Sequence, residues 1–346
     1  MKSNVIISIV LALGLCVGCS QPKASDDHFF QLRGIVLAWE DVVADPSIID
    51  WLGTMKQTEM NTISIFGRDY QSPEYAELKQ KCIDLGFEFE YEEHGMTWLL
   101  PRAEFAEHPE WFRMDENGNR VPDYNCCPSN PEALEAIRGN VKELADRYAP
   151  TNHRYYFWLH DGGDKCHCPE CEKYNLADQA LLIENTIIEA LREFDPEAQL
   201  AHLAYDKTTP APQSVKPEDG IFLEYAPIDR DHSRPLSDTW AIGKDGRTHA
   251  TYIKALKKNI EVFGTEDAMV LEYWLDDSLF SNWDYSNLVE VPWDHDNFLD
   301  DVKTYVYYGI RNISCYAFYI DPTYVSKFGY PDCIVDYGNT LSNYKK

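Results

Sequence analysis

The chain has 346 residues, 58 of them Asp or Glu against 31 Lys or Arg, for a formal net charge of −27 at pH 7. That balance excludes nucleic acid as a partner, because phosphate binding needs clustered cations. The length admits one large barrel or two ordinary domains. The acidity otherwise reads as solubility, with a cationic ligand as the narrower alternative.

Lys2 precedes an apolar run at residues 5–17 that is too short and wrongly flanked for a membrane span, so residues 1–18 are expected to be a secretory signal. The run ends in Leu15-Cys16-Val17-Gly18-Cys19, which resembles the bacterial lipobox and makes Cys19 the expected lipidated residue. Cys16 stands where a lipobox usually has Leu, and an ordinary cleaved signal is the alternative. Residues 19–32 read as a polar tether and residues 33–346 as one domain. The protein is thus expected to be exported and held in the cell envelope, periplasmic or surface-facing, touching the membrane through a lipid anchor only.

Eight strand-like apolar runs follow, at residues 34–39, 62–66, 87–91, 155–159, 200–205, 221–225, 269–273 and 313–319. Helical patterns at residues 46–58, 73–85, 132–148, 176–194, 250–263 and 296–308 fall between them. Eight βα repeats without a strong linker predict a (β/α)8 TIM barrel. A doubly wound nucleotide fold would need a glycine-rich phosphate turn after an early strand, and the sequence has none. Residues 96–131 form a long polar excursion with Trp98, Asn117-Gly118 and Cys126-Cys127, and loops of that length are usually functional.

In such a barrel the C-terminal strand ends share one mouth, so polar side chains recurring there mark a site. Glu40, Arg68 and Asp69, His94, Asp161, Glu224, Glu272 and Asp321 all stand at or just after strand ends. Asp161, Glu224 and Glu272 are the candidate catalytic groups, because each interrupts or caps an apolar strand and a buried carboxyl needs a partner or a purpose. Glu40, Arg68, His94 and His160 are candidate substrate contacts, with Trp98, Tyr205, Trp274 and Tyr319 as aromatic ones. For each, the bland reading is an ordinary ion pair or a core ring. Two carboxylates flanking a bond suffice for glycoside hydrolysis, one as acid and the other as nucleophile, base or orienter of a substrate acetamido group. With the aromatics this points to a carbohydrate partner and to catalysis that requires no cofactor.

Cys166, Cys168 and Cys171 are spaced to share a structural zinc, with His167, Cys126 or Cys127 as the fourth ligand. Disulfides to Cys126 or Cys127 are the alternative in an exported protein, and free thiols a third.

The stretches HPEWFRMDENGNR, NCCPSNPEAL, RYYFWLHDGGDKCHCPEC, AHLAY and KPEDGIFLEYAPIDRD together resemble a family of exported bacterial proteins carrying domain of unknown function 4838. Some members of that family are similar to the endo-β-N-acetylglucosaminidases of glycoside hydrolase family 163. The resemblance spans about residues 34–338 and implies a barrel-type glycosidase acting on N-acetylhexosamine-containing glycans. The family pattern carries an acidic pair where this chain has His160-Asp161, so Asp161 is kept and His160 departs. A glycan-binding protein that lost turnover with that acid is the competing reading.

Overall fold

The computed structural model describes residues 28–67, 72–123 and 125–345. Eight strands run through them: β1 (Leu32–Ala38), β2 (Thr62–Phe66), β3 (Glu88–Glu93), β4 (Arg154–Phe157), β5 (Gln199–Tyr205), β6 (Ile221–Ala226), β7 (Met269–Glu272) and β8 (Asn312–Cys315). Neighbours in sequence pair in parallel, and β8 closes on β1 through Leu32 with Asn312 and Arg33 with Ile313. The chain is a closed (β/α)8 barrel, as the alternation of runs predicts. Three C-terminal strand ends differ from expectation by two residues or more, and of these β4 stops at Phe157. β3 continues to Glu93, and β8 stops at Cys315, after which the chain turns toward the mouth and reaches Tyr319 at φ +65°, a value no strand accommodates.

The helices start where local chemistry satisfies their free N–H groups. Asn130 accepts from the N–H groups of Glu132 and Ala133 ahead of the helix Pro131–Arg147, whose first residue is a proline that has no N–H to leave unpaired. Asn175 and Asp178 form a reciprocal capping box at the start of the helix Leu176–Arg192. Each of these helices buries one apolar stripe on the barrel, including Ile137, Val141 and Leu144 on the first and Ile183, Ile187 and Leu191 on the second. The excursion at 96–131 is built of a short helix, Met96–Leu99, two 3₁₀ turns, and a small hairpin that pairs Phe112 with Cys126 and Met114 with Arg120. Its tip carries Gly118 at φ +84°, the left-handed residue that an Asn-Gly turn supplies.

Strand side chains alternate between the lumen and the helix layer. Val36, Tyr156, Trp158, Ala201, Phe222, Met269, Leu271 and Tyr316 pack together inside the barrel. Ile35, Phe89, Phe157, Leu200, Leu223, Val270 and Ile313, of the opposite parity, pack outward with the helices. The lumen also holds acid. Glu90 accepts from the Tyr156 hydroxyl at 3.0 Å and the Asn152 amide at 2.7 Å, with the Arg154 guanidinium 3.8 Å away. Glu92 adjoins Ser64 and Tyr316. Glu224 accepts from the Trp158 indole N–H at 2.8 Å. Burial pushes all three carboxyls up, the charge of Glu90 raises Glu92 further, and that of Glu92 raises Glu224.

These interior acids make stability depend on pH in a definite direction. An unfolded Glu loses its proton near pH 4.3, whereas Glu92 in the fold keeps its proton to higher pH. Between those two values the unfolded state binds fewer protons, so stability falls as pH rises. Glu92→Gln removes the share of this dependence that Glu92 contributes. Urea midpoints measured at pH 5 and pH 8 are expected to show the variant gaining on the wild type at pH 8 relative to pH 5. An equal offset at both values would contradict the assignment.

Candidate active site

A cleft of about 260 Å³, open to solvent, lies at the C-terminal mouth of the barrel. Its residues come from the C-terminal ends of β2 to β8 and the loops beyond them. Phe66 ends β2, His94 follows β3, Trp158 and Asp161 follow β4, Tyr205 ends β5, and Tyr273, Asp276 and Ser278 follow β7. Tyr316, Phe318 and Tyr319 follow β8, and Trp283 stands at the rim, 57 % exposed.

The floor is aromatic and rigid. Trp158 is 2 % exposed and fixed from below by its hydrogen bond to Glu224. His94 meets it edge-on at 5.4 Å between ring centres, and Tyr273 and Tyr316 stack at 5.2 Å. His94 is held by a 2.6 Å hydrogen bond from Nδ1 to the Leu159 carbonyl, which fixes the tautomer with Nε2 as acceptor. Burial holds its pKa below the usual histidine value, so the ring is neutral.

Two carboxyls face this cleft from different surroundings. Asp161 is exposed and accepts a hydrogen bond from the Tyr205 hydroxyl at 3.1 Å. Asp276 is 4 % exposed and caps the short helix Asp277–Phe280, its Oδ1 accepting from the Ser278 N–H at 3.1 Å and hydroxyl at 2.6 Å. Burial pushes Asp276 up to about 7, against the lowering effect of those hydrogen bonds. A third acid, Asp41, accepts from the Tyr319 backbone N–H at 2.9 Å, and burial pushes it up to about 8. That bond supports the left-handed turn that aims Tyr319 at the cleft.

The structure brings Asp161, His94, Tyr205 and Tyr319 together and separates the other expected residues from them. Glu224 points into the lumen but lies beneath Trp158 and is fully buried, so no substrate reaches it. Glu272 has the parity of Val270 and points outward. There it meets Arg230 at 3.0 Å and accepts from the hydroxyl of Tyr305, while Arg230 also reaches Asp301 at 2.7 Å. Although burial opposes its charge, Asp301 and Glu272 hold the pKa of Arg230 above its usual value. Trp274 also points outward, its N–H on Asp301 at 3.0 Å and its ring against Phe298. Trp98 packs in the helix layer with the Arg147 guanidinium over its ring at 4.6 Å. Glu40 is exposed on the short helix Trp39–Val42 and does not line the cleft. His160 faces a neighbouring depression with Asn125, Gly163 and Lys207. Arg68 and Cys19 lie outside the described residues.

Asp276 and Asp41 were not singled out by sequence. Asp276 sits in a loop, Leu275-Asp276-Asp277-Ser278, whose one legible signal is a helix cap, and Asp41 follows the more conspicuous Glu40.

Cys166, Cys168 and Cys171 gather with Cys127, their four sulfurs all within 4.8 Å of one another. The two other candidates for a fourth ligand go elsewhere: Cys126 packs in the helix-side core, and His167 pairs through Nδ1 with Glu172 at 2.8 Å.

Fold and site together define a (β/α)8 barrel with an aromatic, acid-bearing cleft at its mouth. Residues 31–266 match the model of a domain of unknown function, DUF4838, and the chain belongs to that family. No curated protein matches the sequence. Among solved structures, it is similar to a glycoside hydrolase family 5 enzyme from Prevotella bryantii B14 in complex with a xyloglucan tetradecasaccharide. That match has a TM-score of 0.51 at 11% identity and covers 91% of this chain and 97% of that one. An endo-β-mannanase/endo-β-glucanase of Prevotella bryantii gives a TM-score of 0.50 at 10% identity, covering 91% and 49%. A β-N-acetylhexosaminidase from Bacteroides fragilis gives 0.47 at 12% identity, covering 90% and 65%. The chain thus spans less than two thirds of the latter two proteins, and at these identities the likeness is one of fold.

The Arg230 cluster has a stabilising role distinct from the cleft. Arg230→Met leaves two buried carboxyls without their cation and is expected to lower the unfolding free energy by about 3–5 kcal/mol. Glu272→Gln is expected to shift the urea midpoint downward while the folded protein keeps its ligand affinity. Undiminished stability in both variants would contradict the outward assignment of Glu272.

Proposed function

We propose that the protein is a glycoside hydrolase whose acid is Asp276 and whose second carboxylate is Asp161. The observation that carries this reading is the pairing, in one solvent-open aromatic cleft, of a buried carboxyl pushed up to about 7 with an exposed one held by a tyrosine. Environments that separate two carboxyls in this way suit one to donate a proton and the other to act on the opposite side of the bond. The similar barrels, a glycoside hydrolase family 5 enzyme in complex with a xyloglucan oligosaccharide and an endo-β-mannanase/endo-β-glucanase, are consistent with it. Exposed Trp283 and the Tyr319 ring offer faces on which sugars stack.

N-acetylhexosamine-containing glycans are the substrate class within this reading. Asp161 and the Tyr205 hydroxyl stand side by side, an acceptor and a donor that match the N–H and carbonyl of an acetamido group. In a substrate-assisted mechanism Asp161 would orient that group for attack on the anomeric carbon while Asp276 protonates the leaving oxygen. Tyr319, on its left-handed backbone, would close the cleft on the sugar. The expected export and the lipid at Cys19 would place this chemistry in the cell envelope; mass analysis of the membrane-derived N-terminal peptide decides that part.

A second reading, glycan binding without turnover, rests on His160. It turns into the side depression and supplies no second acid beside Asp161. Saturable binding on a glycan array with no product from the same ligands would favour it.

The test is hydrolysis of a glycan panel by wild type, Asp161→Asn and Asp276→Asn. Both variants are expected to lose about 10²- to 10⁴-fold in kcat. Because Asp276 acts in its protonated form, wild-type kcat/KM should fall as pH rises through about 7. Wild-type rates in both variants would overturn the assignments.

A further inference from the structure

We propose that Cys127, Cys166, Cys168 and Cys171 bind one structural zinc ion that fastens the exit of β4 to the hairpin 111–127. A site of four sulfurs 2.3 Å from a central ion has edges of about 3.8 Å. Cys127 lies 3.6 Å from Cys168 and 3.9 Å from Cys171, sulfur to sulfur, and all four sulfurs lie within 4.8 Å of one another. Even spacing of this kind fits a shared centre. Two disulfides would instead draw the sulfurs into two bonded pairs of about 2.05 Å each.

The surroundings match a closed thiolate centre. All four cysteines are buried, and they form a cluster separate from both apolar cores. The Met114 N–H points at the Cys166 sulfur at 3.3 Å, and the Ser129 hydroxyl lies 3.0 Å from the Cys171 sulfur. The Arg120 guanidinium is 3.9 Å from the Cys166 sulfur and 2.6 Å from the Phe112 carbonyl, placing positive charge beside what would be a dianionic zinc tetrathiolate. Gln179, on the helix Leu176–Arg192, bonds the Cys166 N–H at 2.8 Å and the carbonyls of Cys166 and Cys171 at 3.0 and 3.1 Å. Backbone and sulfur are thus both pre-positioned. No ligand position is left for water, so the ion would be structural.

The site has a mechanical consequence for the cleft. Residues 158–175 contain no helix or strand. Besides the contacts of Trp158, Leu159 and Asp161 already described, they are held by Gln179, by the cysteine cluster and by Asn125, two residues before Cys127. The Asn125 side chain accepts from the His160 N–H at 3.3 Å and donates to the Asp164 carbonyl at 3.2 Å, bracketing Asp161. The zinc would therefore fix the segment that presents Asp161. This last step rests on the reading of Asp161 as a cleft residue, whereas the metal site itself does not.

The experiment is metal analysis and X-ray absorption on the full chain purified without chelator, with mass spectrometry of the intact protein. The expected result is one zinc per chain, four Zn–S distances of about 2.3 Å and a mass showing fully reduced cysteines. Cys127→Ser and Cys168→Ser should each lower the zinc content to below half of wild type. Metal-free protein that takes up no added zinc, or a mass lower by the hydrogens of two disulfides, would overturn the proposal. Limited proteolysis tests the mechanical step: removing zinc should open cleavage within residues 158–175 while the barrel stays intact. Protection unchanged by zinc removal would refute that step and leave the glycosidase reading untouched.

Discussion

Closure of the sheet into a barrel governs nearly everything else in this protein. Once eight strands pair in a ring, each side chain faces either the lumen or the helices, and one step along a strand reverses the choice. Glu224 and Glu272 occupy similar-looking segments, Leu-Glu-Tyr in both, yet the first points into the lumen and the second into the helix layer. Inside, an acid has few partners and is kept protonated by burial. Outside, the same residue type builds a charged cluster with Arg230, Asp301 and Tyr305. Both are consequences of register, and neither residue is in contact with the cleft.

The cleft is set by a second boundary, the Trp158 floor. Below it, Glu90, Glu92 and Glu224 are sealed among Arg154, Tyr156 and Ser64. Above it, Asp161 and Asp276 share space with solvent and with a wall of tyrosines, Phe66 and Phe318. The gradient of burial along the barrel axis therefore sorts the acids into structural and accessible ones. Asp276 sits between the extremes, at the cleft yet nearly buried, which is what raises its proton affinity.

The fold was legible in the sequence because its signal repeats: eight apolar runs, each followed by a helical pattern or a long loop, leave little choice of architecture. The site was legible only where a residue's position along the strand sufficed. Asp161, His94, Tyr205 and Tyr319 lie at strand ends, where every orientation reaches the mouth. Glu272 and Trp274 were misplaced because an apolar strand flanked by aromatics shows no alternation from which parity can be read. Asp276 was invisible for a different reason, since its raised proton affinity comes from loops folded over it after β7 and β8. The cysteines announced a cluster, but only the hairpin formed by Phe112 with Cys126 and Met114 with Arg120 selects Cys127 as the fourth member.

The most direct test of the central claim is a crystal structure of Asp161→Asn with a bound chito-oligosaccharide. The expected result is a sugar stacked between Trp283 and Tyr319, its acetamido group at position 161 and Tyr205, and its glycosidic oxygen within hydrogen-bond reach of Asp276. A glycan seated elsewhere on the barrel, or lying in the cleft with its glycosidic oxygen far from Asp276, would contradict it.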